Sequence, residues 1–459
     1  MKQSGGRGKQ IVVKRAEGTL AVVRGNVAGI DLGSIEHYVA CPPRDGQANV
    51  KVFGTATPEL VALADWLQAE GVVSVAMEST GVYWIPLYEL LDGRGIEAVL
   101  VDARQLKHVP GRKTDMIDCQ WLQLLHSCGL LRGAFRPADA VCRLRTLVRQ
   151  KATLIDEQAT WLNRMQKSLD QMNVRVHRAV ADISGSTGMA MIRAIVAGER
   201  DARKLAGLRD ARCHKNVEQI AEELTGNWRE DHLFNLKEAL AMYDFILERI
   251  AAYESEIQRI LKELAPNPEL KPAPKPVNAN KAKLLRARGQ EPLRQALYGA
   301  CTVDLTAIDG ISTSTAEVVL SELGPDLSAF PTEGHFVSFL KLSPRLAISG
   351  GKPIHKRPKG TASTRVGAAL RMAAVALRNS NTALGASYRR LARRKGASVA
   401  VFATARKLAI LIYRMLRYGM AYVDEGVQAY EKRFQVARLQ MCEQIANQFG
   451  YKLIEKEVA

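Results

Sequence analysis

Four acidic residues in this chain have the types and spacing for metal-assisted chemistry on a phosphodiester. Asp115 and Asp118 lie three apart in Lys113-Thr-Asp-Met-Ile-Asp118, where a segment that reads as a helix opens (Asp118-Cys-Gln-Trp-Leu-Gln-Leu-Leu-His126). That spacing puts both carboxylates on one helical face. Asp31, in Gly29-Ile-Asp-Leu-Gly-Ser34, and Glu78, in Val75-Ala-Met-Glu-Ser-Thr-Gly81, each close an apolar run of strand type, Asn26–Ile30 and Val72–Met77. An acid at a strand end escapes burial yet is held rigidly against its neighbours. Carboxylates from two strands and one helix suit a pair of Mg²⁺ ions, with Mn²⁺ as a substitute of similar hardness. Two such ions can clamp the attacking and leaving oxygens of a phosphodiester. Singly, these are ordinary strand-end and helix-start acids; the ordered set of four is what points to a site.

The elements that must position them follow from the apolar pattern. Short runs at Val27–Leu32, His37–Cys41, Val50–Phe53, Val72–Met77 and Ala98–Val101 read as strands, with helical patterns at Pro58–Ala69 and Val82–Leu91. Thr80 is the expected N-cap of the second helix. Three successive strands, then strands alternating with helices, predict a mixed α/β sheet covered by helices and ending near Pro137. From Ala138 to about Ala181 the spacing predicts one long helix, with Leu144, Leu147, Ile155, Leu162, Met165, Leu169 and Met172 on its apolar stripe. Shorter helices reach about Glu230, and a second long helix spans about His232–Leu264. Two long helices with few strands between them predict an antiparallel hairpin or coiled-coil arm, suited to oligomerisation or to spanning a nucleic acid. The five prolines and several lysines of 266–283 mark a linker. Beyond it, a mostly helical unit is expected over 284–425, with a helical tail over 426–459. Within it, Ala307-Ile-Asp-Gly-Ile-Ser-Thr and the following helix resemble a helix-hairpin-helix turn, whose amides can hold a phosphate.

Charge narrows the partner. The 459 residues carry a formal net charge of +18, which favours a polyanion, nucleic acid before membrane. Seven scattered cysteines without a C-x-x-C pair suggest neither a zinc site nor a disulfide framework, and fit a reducing cytosol. No run approaches the length of a membrane span. Residues 1–25 hold six basic residues against one acid and read as a mobile basic arm. The charge is most uneven from Gly334 to Val423, which holds eighteen Lys or Arg and no Asp or Glu. That stretch can host no carboxylate metal site, but it can neutralise many phosphates. It contains Leu342-Ser-Pro-Arg-Leu-Ala-Ile-Ser349-Gly-Gly-Lys352, a small loop in which a serine beside cations could attack phosphorus, bind it, or serve only as a turn residue. Arg112, Lys113, Arg345, Lys352, Lys356, Arg357, Lys359 and Arg365 are the cations expected to meet nucleic acid.

From Val27 to about Tyr422 the residues resemble a known family, the bacterial insertion-sequence transposases that join a RuvC-like DEDD domain to a C-terminal serine domain. Members are guided by an RNA that bridges donor and target DNA. The pieces that carry the resemblance are Gly29-Ile-Asp-Leu-Gly-Ser, Glu78-Ser-Thr-Gly-Val-Tyr-Trp, Val109-Pro-Gly-Arg-Lys-Thr-Asp-Met-Ile-Asp, Leu342-Ser-Pro with Ile348-Ser-Gly-Gly-Lys, and Ala405-Arg-Lys-Leu-Ala. The family's four acids fall on Asp31, Glu78, Asp115 and Asp118, and its serine on Ser349. The resemblance implies a RuvC-like domain over 26–137, a helical arm over 138–265 and a serine transposase domain over 284–425. It also implies that Ser349 forms a phosphoserine link to DNA while Mg²⁺ on the acids activates it. Acids and serine meet between protomers in the family, so a homo-oligomer is implied, dimer or tetramer. Its partners would be donor and target DNA and a bridge RNA, in a cytoplasmic, nucleoid-associated setting.

Two other classes share some of these residues. A metal-dependent nuclease of the Holliday-junction resolvase type would use the same acids to activate water and leave the serine inert. An actin-like ATPase also opens with Gly-Ile-Asp-Leu-Gly-Ser. It needs a second Asp-x-Gly phosphate loop, however, and the only comparable piece, Ile308-Asp-Gly-Ile, sits in a helical, basic setting.

Overall fold

The computed structural model describes residues 21–79, 81–102, 115–267, 270–276, 279–343, 348–349, 352–353, 364–421 and 426–454. The chain divides into two compact units, Met1–Arg136 and Pro137–Ala459.

In the first unit, strands β1 (Val27–Leu32), β2 (Glu36–Arg44) and β3 (Gln47–Gly54) form an antiparallel meander. The β2–β3 turn is Asp45-Gly46, with φ of 50° and 77° at its two residues. This Asp-Gly pairing supplies the positive φ that a two-residue hairpin needs. Helix α1 (Thr57–Ala69) leads into β4 (Ser74–Glu78), and α2 (Trp84–Gly93) into β5 (Glu97–Val101). The strand order is β3-β2-β1-β4-β5, with β1, β4 and β5 parallel. One face of the sheet buries Ala28, Ile30, Val75, Met77 and Leu100 against Leu60, Leu63 and Leu67 of α1 and Leu87 and Leu91 of α2. Helix α3 (Asp115–Ser127) covers the other face, where Leu122 packs with Ala76 and Val101. The expected mixed sheet covered by helices is thus present. Thr80 lies outside the described residues, and α2 begins two residues later than the pattern predicts, at Trp84.

The second unit is almost wholly helical. Helix α4 (Asp139–Gln171) stops about ten residues short of the expected end: Met172 caps it and Asn173 turns left-handed at φ 56°. Short helices α5 (Val176–Ala179), α6 (Ser186–Val196), α7 (Ala202–Gly207) and α8 (Val217–Leu224) follow, then the long α9 (Glu230–Glu263). Contacts between α4 and α9 run in opposite directions: Arg143 with Glu263, Lys151 with Glu254, Gln158 with Tyr243. The two are therefore an antiparallel pair. The far end of the pair is a small core in its own right, where Met165 and Leu169 of α4 meet Ile192, Leu205, Ile220 and Leu236.

Next come α10 (Ala279–Ala287), α11 (Glu291–Cys301), α12 (Thr313–Leu323) and α13 (Glu333–Phe339). A two-stranded hairpin, β6 (Ile348–Ser349) with β7 (Lys352–Pro353), precedes α14 (Arg365–Ala376), α15 (Ala383–Lys395), α16 (Ala397–Tyr418) and α17 (Gly426–Gln448). The proline- and lysine-rich stretch falls inside this unit, and its described residues make contacts there. Ala273 is buried, its N–H donates to the Gln295 side chain at 2.8 Å, and the Pro274 carbonyl accepts from Arg294. Arg294 is itself 1% exposed and bonds Asp304 at 2.5 Å and Glu291 at 2.9 Å, so its buried charge is compensated from two sides. The Gly310 turn that resembles a helix-hairpin-helix is half-buried and packs against the end of α14. A Cβ there would lie 2.9 Å from Leu377 Cγ and 3.0 Å from the Ala373 carbonyl oxygen. Among the described residues no helix is long and apolar enough to cross a membrane.

Candidate catalytic carboxylates and serine hairpin

The register of the sheet decides where the acids go. Between β1 and β4 it runs from Val27 opposite Ser74 to Ile30 opposite Met77. Asp31 and Glu78 are the next residues of the two strands, at neighbouring carboxyl ends about 4.8 Å apart in the strand spacing. Side chains alternate between faces. Ala28, Ile30 and Leu32 point to the α1/α2 core, so Gly29 and Asp31 point to the α3 face. Val75 and Met77 point to the same core and Ala76 to α3, so Glu78 also points to the α3 side. Both acids are half-buried.

Helix α3 brings the third acid to the same end. It runs antiparallel to β1: the Gln123 side-chain amide donates to the Val27 carbonyl, His126 Nε2 lies 2.9 Å from Ser74 Oγ, and the Val23 N–H donates to the Ser127 carbonyl at 2.8 Å. The carboxyl end of α3 therefore sits over the start of the strands, and Asp118 sits over their ends. What lets the helix lie so close is Gly29. A Cβ at that position would stand 2.3 Å from both the Cys119 carbonyl oxygen and the Gln123 nitrogen, which are backbone atoms with no room to yield. The buried Cys119 thiol registers the result. Burial pushes it up to about 12, and the charges of Asp31 and Asp118 both push the same way. At the other end of α3, burial and then the charge of Arg24 hold His126 below its ordinary value, which keeps it a neutral partner for Ser74.

Asp115 is the first residue of α3, one turn before Asp118, and its side chain lies outside the described residues. Among the described residues no group of three or more His, Cys, Asp or Glu side chains is close enough to hold a metal ion. The backbone nonetheless gathers the strand ends bearing Asp31 and Glu78 with the first turn of α3, and carboxylate oxygen is the donor that a hard divalent cation takes. Gly29 and the Ser74–His126 pair, which seat α3 on the sheet, are features that the acid motif alone did not reveal. Only the parity of Gly29 with Asp31 in the strand could have signalled the first.

Gly29→Ala is expected to be costly for this reason. It should destabilise the first unit by about 1–3 kcal/mol through overpacking and displace α3, separating Asp118 from Asp31. Chemical denaturation and a DNA-cleavage assay check both effects, and a Gly29→Ala protein of normal stability and activity would contradict this placement of α3.

In the second unit Ser349 ends β6 and pairs with Lys352 of β7, with Gly350 and Gly351 between them. The serine thus stands at the mouth of a two-residue hairpin beside a lysine. Arg365, the first residue of α14, has its Nε 3.9 Å from Glu322, a carboxylate also gripped by Arg149 at 2.8 Å and by Arg145 at 3.4 Å. Its charge is therefore partly spent within the fold. Arg112, Lys113, Arg345, Lys356, Arg357 and Lys359 lie outside the described residues, as do the side chains of Ser349 and Lys352.

Comparison with known proteins finds transposase matches in both halves of the chain, the first running past Arg136 into the second unit. Residues 28–174 match the DEDD transposase model of the IS110 group, described as a transposase. Residues 302–389 match a model described as the transposase IS116/IS110/IS902 family. No curated protein matches the chain. A DEDD-type domain implies a divalent cation, in keeping with the carboxylate ends of β1 and β4. Carrying both of these domains in order over just over half its length, the chain is an IS110-type DNA transposase/recombinase of an insertion sequence.

Proposed function

We propose that this enzyme cuts and rejoins DNA through a phosphoserine intermediate on Ser349, under the direction of a bridge RNA. The observation that carries the reading is the arrival of Asp31, Glu78 and Asp118 at one end of one sheet face, in a chain that also presents a Ser-Gly-Gly-Lys hairpin in an acid-free basic stretch. Asp31, Glu78, Asp115 and Asp118 would hold the divalent cation, Mg²⁺ or in its place Mn²⁺, in a RuvC-like domain. Bound there, the cation would supply positive charge that eases ionisation of a hydroxyl and offsets the charge developing on phosphate.

Ser349 Oγ attacks phosphorus: the Oγ–P bond forms, the P–O bond to the leaving deoxyribose breaks, and the leaving oxygen takes up a proton. A second strand's hydroxyl then attacks the phosphoserine, forming the new P–O bond and releasing the serine. No water enters, so the phosphodiester energy is conserved for joining. Lys352, Arg345, Lys356, Arg357, Lys359 and Arg365, with Arg112 and Lys113 of the first unit, would neutralise backbone phosphates. We take the working form to be a homo-oligomer, a dimer or a tetramer, with the α4/α9 pair as its coiled-coil arm.

The test combines wild-type protein, Mg²⁺, element-end DNA, target DNA and RNA from the element's non-coding flank. Joined products that require the RNA are expected. Free cut ends that are never joined would instead identify a nuclease of the Holliday-junction resolvase type, and RNA-independent joining would remove the guide from the account.

A further inference from the structure

Helices α15 and α17 enclose a cavity of about 300 Å³ lined by Ala386, Arg389, Arg390, Arg393, Arg394 and Glu431. Its arginines have distinct fates. Arg389 is spent on the fold, with Nη1 donating to the Arg378 carbonyl at 3.2 Å and the Ser380 carbonyl at 2.7 Å. The Arg390 guanidinium lies 3.5 Å from the centre of the Phe434 ring and 4.7 Å from that of Tyr430, both on α17. Its Nη1 is buried and makes no hydrogen bond. Among the described residues Arg390, Arg393 and Arg394 form no ion pair, and Glu431, the one acid in the lining, pairs with none of them.

These facts point to an anion. A guanidinium against aromatic rings is attracted by their faces and keeps N–H donors free to bond elsewhere. A buried donor without an acceptor is costly, and an oxyanion in the cavity would supply acceptors to it. Helix α17 buries none of its own residues, so the rings stacked on Arg390 are a principal attachment of that helix, and they form one wall of the cavity. The setting is the stretch from Gly334 to Val423 that contains no acid. A rival role for Arg393 and Arg394 is purely local, as cations in the last turn of α15 facing its negative end. That role would add stability but would take no ligand.

We propose that this cavity is a phosphate-binding site for a nucleic-acid backbone, in which Arg390, Arg393 and Arg394 grip phosphodiester oxygens under the aromatic wall of α17. It rests on the reading of the chain as a nucleic-acid recombinase and adds a grip remote in sequence from both the acids and the serine hairpin. Duplex DNA and structured RNA offer the same backbone chemistry, so the test carries both.

Full-length protein is titrated into labelled duplex DNA and labelled hairpin RNA of equal length, across a series of salt concentrations. The Arg393→Gln/Arg394→Gln double variant should bind about tenfold more weakly at 0.15 M salt, with the log–log salt slope smaller by about one to two. Glu431→Gln should bind more tightly. Lys432→Gln/Arg438→Gln makes the same change in net charge at exposed positions of α17 outside the cavity, and should have a clearly smaller effect. Weakening confined to DNA or to RNA identifies which backbone the cavity holds. If the Arg393/Arg394 variant behaves like the Lys432/Arg438 variant on both nucleic acids, the cavity is no site and the arginines serve α15 alone. Wild-type protein that binds neither nucleic acid would overturn the recombinase reading itself.

Discussion

Asp31→Asn, Glu78→Gln and Asp118→Asn should each lower DNA strand cleavage by at least about 10²–10³-fold while leaving the protein folded and able to bind nucleic acid. Each substitution keeps the size of the side chain and removes only its charge. Asp31 and Glu78 stand at strand ends and Asp118 in the first turn of α3, all half-buried, so none of the three is a deep core residue whose loss would unfold the sheet. What they share is one end of one sheet face, fixed by the β1–β4 register and by the seat of α3 on Gly29. Three single changes with equal phenotypes, and no further loss on combining them, would mark the acids as one functional unit. The same substitutions should weaken the rise in thermal stability that added Mg²⁺ or Mn²⁺ produces in the wild-type protein. Retained cleavage in all three would detach the acids from the chemistry.

A second large effect is expected far from the acids in sequence. Lys151 of α4 lies with Nζ 2.6 and 2.7 Å from the two carboxylate oxygens of Glu317 on α12, and both side chains are almost wholly buried. Lys151→Met leaves the Glu317 carboxylate without its close partner in the interior, a change that typically costs about 3–5 kcal/mol. The pH dependence follows. Burial raises the Glu317 carboxyl above its ordinary value of 4.5, and the charge of Lys151 and its hydrogen bond pull it back down. Without Lys151 it rises further. A carboxyl raised in the fold contributes its full stability below its unfolded value and loses it as pH rises through the folded one. The variant should therefore be nearest to wild type near pH 4 and worst at neutral pH. Lys151→Met/Glu317→Leu should recover much of the loss, since no charge is then stranded. Denaturant midpoints measured across pH check this, and a Lys151→Met protein of wild-type stability at pH 7 would contradict it.

The first unit was largely legible in the sequence because its strands are short apolar runs with breakers between them. Val27–Leu32 is read to the residue, and the other strands differ only at their ends. The second unit was less so. The helix expected to reach about Ala181 runs past the point where Asn173 adopts a left-handed conformation, and periodicity carries no information about that single dihedral. The proline-rich 266–283 reads as a linker, and nothing local signals that Arg294, twenty residues on, donates a hydrogen bond to the Pro274 carbonyl. Long-range polar contacts of this kind leave no local pattern. Neither does the stacking of Arg390 on Phe434, which joins residues forty-four positions apart. The acids themselves were visible as types and spacings. What sequence could not supply was their common face, which depends on strand register and on the absence of a side chain at Gly29.

The central claim is most directly tested by looking for DNA bonded to the protein. Labelled element-end DNA, flanking RNA, Mg²⁺ and protein are incubated, denatured and separated, and label that migrates with the polypeptide is measured. The account predicts a covalent adduct with wild-type protein that is absent from Ser349→Ala and from Asp115→Ala. Cut DNA with no attached protein, unchanged by Ser349→Ala, would contradict it and leave a metal-dependent nuclease in its place.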